Sequence, residues 1–288
     1  MSLQDGFVII DKPAGITSHD VVAKLRKTLG TKQVGHAGTL DPMATGVLVL
    51  GVNKATKFLQ YITQGKKAYH AQIRLGQVTT SDDAQGEITS TSDTSNVGDQ
   101  EIREFLASQV GSIMQVPTKV SAIKINGQRA YDLVREGKEV DIPARQIDIY
   151  KLDVIEIKRG EFLDIEISVE CSAGTYIRSI ARDLGSSLEV GGHLISLRRS
   201  LVAPFSLSDC SGLESPVIRP LASEISKVMR VRDVDLQEVK ELSFGRALSA
   251  SSTDGPVVAL APDGQVAAIL ENREHGAQPV AVFISLKN

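Results

Sequence analysis

The stretch GHAGTLDPMATG, residues 35–46, is the most unusual part of the chain, and the β-branched run 47–52 follows it directly. Its Gly, Thr and Pro content is typical of a loop with a fixed shape. The residues alone leave three interpretations open. A phosphate-binding loop is one, although the Gly-Lys-Ser/Thr ending of a P-loop is absent. The others are a structural turn that Asp41-Pro42 begins, and a loop that holds Asp41 as a catalytic carboxylate.

The segments before this loop predict a strand, a turn and a helix. The apolar run 7–10 ends at Asp11-Lys12-Pro13, which is typical of a strand followed by a turn. A helix is predicted from Ser18 to a stop at Gly30. Four apolar residues at helical spacing form its inner face: Val21, Val22, Leu25 and Leu29.

Strand and helix patterns also follow the loop, without regular βαβ alternation. Strands are predicted at 47–52 and 69–75, and a hairpin at 147–157 and 162–171 around a turn with Gly160. Helices are predicted at 102–110 and 177–188, and an acidic surface loop at 77–98. After about residue 230 come a short helix pattern at 236–242 and strand patterns at 257–260, 266–270 and 280–284. The chain is therefore predicted to be α+β, with domains at 1–230 and 231–288.

The charge balance argues at first sight against a nucleic-acid partner. The 288 residues include 32 Lys and Arg against 35 Asp and Glu, a net charge of −3. However, residues 1–80 carry a net +6, and residues 111–140 and 173–208 each carry +2. The excess acid lies in 81–110, 141–172 and 231–288. The basic stretches could assemble into one positive face, with the acidic stretch 81–110 turned away from it, but a mixed solvated surface explains the charges equally well.

Cysteine, histidine and hydropathy patterns narrow the class of protein. Cys171 and Cys210 are too few for a disulfide framework or a four-cysteine zinc site. The five histidines show no metal-ligand spacing, so no metal is predicted. The N-terminus does not resemble a signal peptide, and no apolar stretch approaches the ~18 residues of a membrane span. We therefore expect a reduced, cytoplasmic protein.

A second stretch, residues 171–178, leaves a predicted strand, turns at Gly174 and enters a helix that carries Arg178. An arginine beside a catalytic aspartate would keep the carboxylate ionised and orient it. A surface arginine at the start of a helix is the alternative, and it is the commoner case.

Five motifs lie in order along the first 230 residues. They are DKPAGITS at 11–18, residues 35–46, KAY at 67–69 with LG at 75–76, GTYIRSI at 174–180, and residues 193–199. Each motif alone is weak, but together, in this order and at about this spacing, they resemble bacterial TruB-type tRNA pseudouridine synthases.

This resemblance implies a fold and an activity. The fold is a catalytic domain on a mixed, mainly antiparallel sheet with flanking helices, followed by a small PUA-like β domain. The activity is isomerisation of the T-loop uridine of tRNA, uridine 55, to pseudouridine. The reaction involves no net oxidation or hydrolysis, so no cofactor is expected. The expected partner is the T stem-loop of tRNA, with no protein partner, no membrane and a monomeric enzyme.

The resemblance also implies roles for individual residues. Asp41 is the catalytic carboxylate, acting either as a nucleophile or as a base toward a ribose proton. Tyr69 stacks on the target uracil, and Arg178 pairs with Asp41. Tyr176 and Leu197 are pocket-wall positions. His36 fills the space that flipped bases leave.

The remaining implied residues contact RNA. A segment at 118–142 resembles the part of the family that closes on the RNA. The candidate phosphate ligands are Lys12, Lys66, Lys67, Lys124, Arg129 and Arg145. The acidic C-terminal domain is expected to bind RNA weakly or not at all. Two other hypotheses stay open: a homologous synthase that acts on another RNA or with a guide RNA, and a tRNA-folding chaperone without catalysis.

Overall fold

The computed structural model describes residues 4–120 and 142–284, with the backbone alone of residues 124–125 and 128–129. The strands are β1 (Gly6–Lys12), β2 (Val34–Ala37), β3 (Thr45–Val52), β4 (Lys67–Leu75), β5 (Gln77–Thr79), β6 (Ile88–Thr91), β7 (Gly111–Gln115), β8 (Lys124–Ile125), β9 (Gln128–Arg129), β10 (Arg145–Arg159), β11 (Leu163–Cys171), β12 (Gly192–Val202), β13 (Phe205–Ser206), β14 (Arg219–Pro220), β15 (Arg230–Asp233), β16 (Val257–Leu260), β17 (Val266–Arg273) and β18 (Gly276–Val282). The helices are α1 (Ser18–Leu29), α2 (Leu59–Thr63), α3 (Asp99–Ser108), α4 (Ile177–Ser187), α5 (Leu221–Ile225) and α6 (Leu236–Ser243). Short 3₁₀ helices span Asn53–Phe58 and Leu207–Asp209.

Most described strands join one large mixed sheet with the order β14-β1-β3-β12-β4-β11-β10-β7. β2 pairs with β3 and β13 pairs with β12 at its margins. Neighbours run antiparallel except β12 and β3, which are parallel through Arg198 opposite Thr45 and Arg199 opposite Gly46. A smaller sheet has the order β15-β16-β17-β18. The predicted α+β class, with its mixed and mainly antiparallel sheet, is therefore confirmed.

Helix α1 forms where the sequence predicts it, because both of its ends are capped. The Thr17 hydroxyl accepts a bond from the Asp20 amide at 3.0 Å, and the Asp20 carboxylate accepts one from the Thr17 amide at 2.8 Å. Gly30 ends the helix with a left-handed φ of 65°. The inner face, Val21, Val22 and Leu25, is buried against β1 and β3. The cap at Thr17 thus fixes where α1 begins relative to the loop at 35–46.

Strand β3 is buried on both faces, which explains its continuous apolar run. Leu48 and Leu50 pack toward α1, whereas Val47 and Val49 pack on the opposite side. That opposite core also contains apolar residues of the smaller sheet, namely Val258, Val266 and Ile269. The smaller sheet therefore covers one face of the strand that follows the 35–46 loop. The division of the chain at residue 230 stays a prediction.

Strand β12 is the main element that the sequence patterns did not predict. It lies at the centre of the large sheet, between β3 and β4. Two irregularities interrupt its pairing with β4, between Leu194 and Ser196 and between Arg199 and Leu201. Such bulges break the strict alternation by which a strand is recognised in a sequence.

The segment 77–98 is only partly the surface loop that its composition predicts. β5 and β6 form a hairpin within it, and the turn between them pairs with β12 through Asp83 and Leu194. Asp83 is 3% exposed. The acidic stretch 81–110 is therefore not wholly on the surface, because its turn at Asp83 is buried against β12; that the stretch faces away from RNA stays a prediction. Across the described ranges, no helix is both long enough and apolar enough to cross a membrane.

Gly46 allows β3 and β12 to approach closely, and its replacement by Ala should unfold the protein more easily. Gly46 has a φ of +103°, and an added Cβ would lie 2.1 Å from the Arg199 carbonyl oxygen. Urea titration should show Gly46→Ala less stable by about 2 kcal/mol or more. Gly160→Ala, where an added Cβ meets open space, is the matched control. Equal midpoints for the two variants would contradict this account of the strand contact.

Candidate active site

The N-terminal end of α1 holds the backbone on both sides of Asp41. The Ser18 hydroxyl accepts a bond from the Leu40 amide at 2.9 Å and donates one to the Leu40 carbonyl at 3.1 Å. The Gly15 amide donates to the Pro42 carbonyl at 2.8 Å. The segment 11–18 therefore acts on the loop at 35–46 by fixing its shape, which presents the Asp41 side chain.

Lys12 reinforces this contact and does not reach a surface where phosphate would bind. Its side chain is fully buried, and Nζ donates to the carbonyls of Pro13, Ile16 and Pro42 at 2.9, 2.7 and 3.3 Å. Burial lowers the pKa of Lys12 to about 8, against the opposing charge of Asp41. The predicted phosphate contact at Lys12 is corrected to a structural one, because three carbonyl oxygens already accept hydrogen bonds from its ammonium group.

Arg178 and Asp41 form a side-on pair. The Arg178 Nε lies 3.1 Å from Asp41 Oδ2, and Nη2 donates to Oδ1 at 3.2 Å. The arginine side chain is 6% exposed, whereas the aspartate side chain is 33% exposed. Contacts of two guanidinium nitrogens with the two carboxylate oxygens fix the plane of the carboxylate as well as its position. The carboxylate therefore has a fixed orientation and an accessible side.

Three further acceptors orient the Arg178 guanidinium from behind. Nη1 lies 3.3 Å from Asp83 Oδ2 and donates to the Ser81 carbonyl at 2.9 Å, and Nη2 donates to the Val120 carbonyl at 2.9 Å. Sequence reasoning missed Asp83. The only local signal is the polar turn itself, in which the Ser81 hydroxyl and the Gln85 amide both bond to the Asp83 carboxylate.

The environment of Asp41 makes its carboxylate harder to ionise than a solvated one. Burial raises the pKa of Asp41, the Arg178 charge opposes that rise, and the nearby Asp83 adds to it. A poorly solvated carboxylate that an arginine orients is suited to act on a substrate as a base or a nucleophile.

Tyr69 and Arg199 lie opposite each other on β4 and β12. Tyr69 is 7% exposed, and burial raises the pKa of its hydroxyl, with the Arg199 charge opposing that rise. The Arg199 guanidinium also donates to the carbonyls of Val47 at 2.8 Å and Gly38 at 3.0 Å. Arg199 therefore links the tyrosine to the loop that carries Asp41. Arg199 ends the motif at residues 193–199, and the family resemblance implied no role for it.

The two predicted pocket-wall residues, Leu197 and Tyr176, lie on elements that meet near Tyr69 and Arg199. Leu197 on β12 shares a buried cluster with Leu40, Ala44 and Tyr69. Tyr176 immediately precedes α4, and its backbone exchanges two bonds with the Gln115 amide, at 2.9 and 3.1 Å. These contacts place both side chains on fixed backbone.

His36 lies on β2 and packs edge-on against His19 of α1, with ring centroids 5.3 Å apart. Its Nδ1 is buried without a hydrogen-bond partner. Burial, reinforced by the positive charges of His19 and Arg199, lowers the pKa of His36 to about 4. The ring is therefore neutral at neutral pH and presents an uncharged aromatic surface.

The other predicted phosphate ligands differ in accessibility. Lys67 is 5% exposed, and its Nζ donates to the carbonyls of Thr63 and Gly65, so its predicted phosphate contact is also corrected to a structural one. Lys66 is exposed and pairs with Glu170. The Arg145 guanidinium lies 4.8 Å from the Tyr176 ring centroid. The side chains of Lys124 and Arg129, and most of the segment 118–142, lie outside the described residues.

The fold has relatives among solved structures. An archaeal box H/ACA Nop10–Cbf5 complex superposes with a TM-score of 0.71 at 22% identity, covering 98% of this chain and 87% of the other. A Cbf5–Nop10–Gar1 complex gives 0.72 at 24% identity, covering 99% and 85%. Identities this low show a shared fold alone.

Sequence comparisons identify the family. Residues 26–177 match the model of the TruB family pseudouridylate synthase N-terminal domain, and residues 229–284 match that of the tRNA pseudouridine synthase II C-terminal domain. A Corynebacterium glutamicum protein named tRNA pseudouridine synthase B is 47% identical over 98% of this chain and 97% of its own. A Thermobifida fusca protein of the same name is 46% identical over 98% and 99%. The chain therefore belongs to the TruB family of pseudouridylate synthases.

Proposed function

We propose that this protein converts the T-loop uridine of tRNA, uridine 55, into pseudouridine, with Asp41 as its catalytic carboxylate. The observation that carries the proposal is the side-on pair of the buried Arg178 with Asp41, in a loop whose Leu40 and Ala44 share a buried cluster with Tyr69. This arrangement occurs in a chain that is 47% identical over nearly its whole length to a protein named tRNA pseudouridine synthase B.

The reaction breaks the bond between C1′ and the uracil nitrogen, turns the uracil, and joins its C5 to C1′. Asp41 serves this sequence in one of two ways. Its oxygen attacks C1′ and later leaves, or it removes the C2′ proton to give a glycal and later returns it. The C5 proton leaves at the end, and the ring nitrogen gains one. Every electron pair stays within the substrate and Asp41, so the scheme uses no cofactor.

A uridine within a folded loop must leave its stack before C1′ can reach Asp41. We assign the stacking surface to Tyr69, and the flanking walls to Leu197 and Tyr176. The neutral ring of His36 is suited to occupy the space that the flipped base leaves. Its pKa of about 4 keeps the ring uncharged there at neutral pH.

The T stem-loop is the RNA element that we propose to be bound, by a monomeric and cytoplasmic enzyme. Arg145 and Lys66 remain the candidates for phosphate contacts among the described residues, since Lys12 and Lys67 are buried. Lys124 and Arg129 stay predictions from the resemblance.

Tritium release tests this function directly. Purified protein should release tritium from a tRNA transcript labelled at uridine C5, because C5 exchanges its hydrogen for the bond to C1′. A transcript with cytidine at position 55 is the control and should release none. Tight binding of the tRNA without release would contradict the proposal, and release from a different RNA alone would reassign the substrate.

A further inference from the structure

The stretch 21–81 carries an unusual charge distribution. Asp41, which pairs with Arg178, is its only acidic residue, whereas it contains nine Lys and Arg residues. Most of these cations have partners. Lys24, Lys54, Lys66 and Arg74 form ion pairs, and Arg26 and Lys67 donate to carbonyls. The three that remain are Lys27, Lys32 and Lys57.

These three residues, named here the lysine patch, lie around the contact between the end of α1 and the start of the 3₁₀ helix Asn53–Phe58. The Thr31 hydroxyl donates to the Asn53 side chain at 2.9 Å, and the Asn53 amide donates to the Gln33 carbonyl at 2.8 Å. These bonds join the end of α1 to the start of the 3₁₀ helix Asn53–Phe58. Lys27 lies in the last turn of α1, Lys32 follows Thr31, and Lys57 lies on the 3₁₀ helix.

The lysine patch is accessible and positive. All three side chains are exposed, and within the part of the chain that the structure describes none forms an ion pair or a hydrogen bond. Lys54 lies three residues before Lys57, so both project from one face of the 3₁₀ helix. Lys54 is paired with Asp5 at 3.5 Å, which leaves the charges of the lysine patch without an acidic neighbour of their own.

The axis of α1 connects the lysine patch to the active site. Ser18, at the first turn, bonds to Leu40 beside Asp41, whereas Lys27 lies at the opposite end. Lys27 lies nine residues beyond Ser18, which is roughly 14 Å along the helix axis. His19 and His36 lie near the end of α1 that contacts Leu40. Helix α1 therefore has the Asp41 loop and the two histidines at its first turn, and Lys27 of the lysine patch in its last turn.

We propose that the lysine patch binds the sugar–phosphate backbone of the RNA stem that carries the target loop. This inference rests on the proposed function for the position of the target nucleotide at Asp41. Ammonium groups at the far end of α1, roughly 14 Å along its axis from the turn that holds Leu40, match a polyanion that continues for several phosphates beyond that nucleotide. Such contacts position the RNA without reading its sequence.

The salt dependence of RNA binding tests the lysine patch. The binding of tRNA transcript is measured for the triple variant Lys27→Gln, Lys32→Gln, Lys57→Gln over a range of salt concentrations. A plot of log Kd against the logarithm of the salt concentration should have a slope smaller than the wild-type slope by about 2 to 3. KM should rise, and kcat at saturating RNA should stay within about twofold, because the lysine patch lies far from Asp41.

A matched control removes the same charge elsewhere. The variant Lys151→Gln, Lys158→Gln, Lys240→Gln changes three exposed lysines on β10 and α6. Its slope should equal that of the wild type. An equal loss in both triple variants, or no loss in the first, would overturn the proposal.

A series of hairpin substrates tests the placement of the stem. The Kd ratio of variant to wild type should be near one for a loop closed by one or two base pairs, and it should grow as the stem lengthens toward the lysine patch, roughly 14 Å along α1. A ratio independent of stem length would place the stem elsewhere. Binding is measured without turnover, so the two proposals can fail separately. A wild type that binds RNA but releases no tritium would refute the proposed function, and the binding data would still show whether the lysine patch contacts the RNA.

Discussion

Replacing Asp41 with Asn is expected to reduce tritium release by at least about 10⁴-fold while changing the Kd for tRNA by less than about threefold. Asn has the shape of Asp but neither the negative charge nor the basic oxygen that both mechanisms require. The side chain lies at a partly exposed position and is 33% accessible, so the change should not disturb the core. Single-turnover tritium release and a filter-binding Kd measure the two effects separately.

The matched control is Asp164→Asn. Asp164 of β11 accepts two bonds from Arg74 of β4, at 2.8 and 2.7 Å, and this arginine–carboxylate pair lies outside the loop that carries Asp41. Losing that pair should leave turnover near the wild-type value. If Asp41→Asn kept a tenth or more of the wild-type rate, Asp41 would not be the catalytic carboxylate. If both variants lost activity equally, the loss would reflect general damage to the sheet.

Local signals in the sequence were sufficient for elements that local bonds stabilise. Helix α1 begins at Ser18 and is capped at Gly30 as predicted, because its caps and its apolar face all lie within fourteen residues. The hairpin of β10 and β11 is likewise specified by two alternating runs and a short turn. Strand β12 was not predicted, since its partners β3 and β4 are distant in the chain and its bulges disrupt the alternation.

The residues of the candidate site fall into the same two groups, those that a local motif indicates and those that only pairings between remote segments bring together. Asp41, Tyr69 and Arg178 were nominated because each lies in a motif of the resembling family. Asp83 and Arg199 were not, because a charged residue in a sequence is ordinarily assigned to the surface. Both are buried only because β12 lies beside β3 and receives the β5–β6 turn, which brings carbonyls and a carboxylate to each arginine. That arrangement depends on pairings between remote segments, which no local pattern contains.

Removing the arginine of the central pair should have the second largest effect. Arg178→Ala is expected to lower kcat by about 10²- to 10³-fold and to leave the Kd for tRNA within about threefold, because the Arg178 side chain is 6% exposed and its guanidinium contacts Asp41. Arg178→Lys keeps a positive charge but only one point of contact, so it should recover part of the rate. An equal loss of turnover and of RNA affinity would contradict an orienting role.

The pH dependence separates this electrostatic role from a merely structural one. The Arg178 charge lowers the pKa of Asp41, so its removal raises that pKa, and the carboxylate becomes protonated at a higher pH. The acid limb of the kcat profile should therefore move to higher pH in Arg178→Ala. Asp83 raises the pKa of Asp41, so Asp83→Asn should move the same limb to lower pH, although it also lowers kcat by loosening Arg178. If Arg178 and Asp83 had a purely structural role, kcat would fall in both variants, and the acid limb of each pH profile would stay where the wild type has it. Shifts of the acid limb in opposite directions can arise only if the two charges act on the ionisation of Asp41.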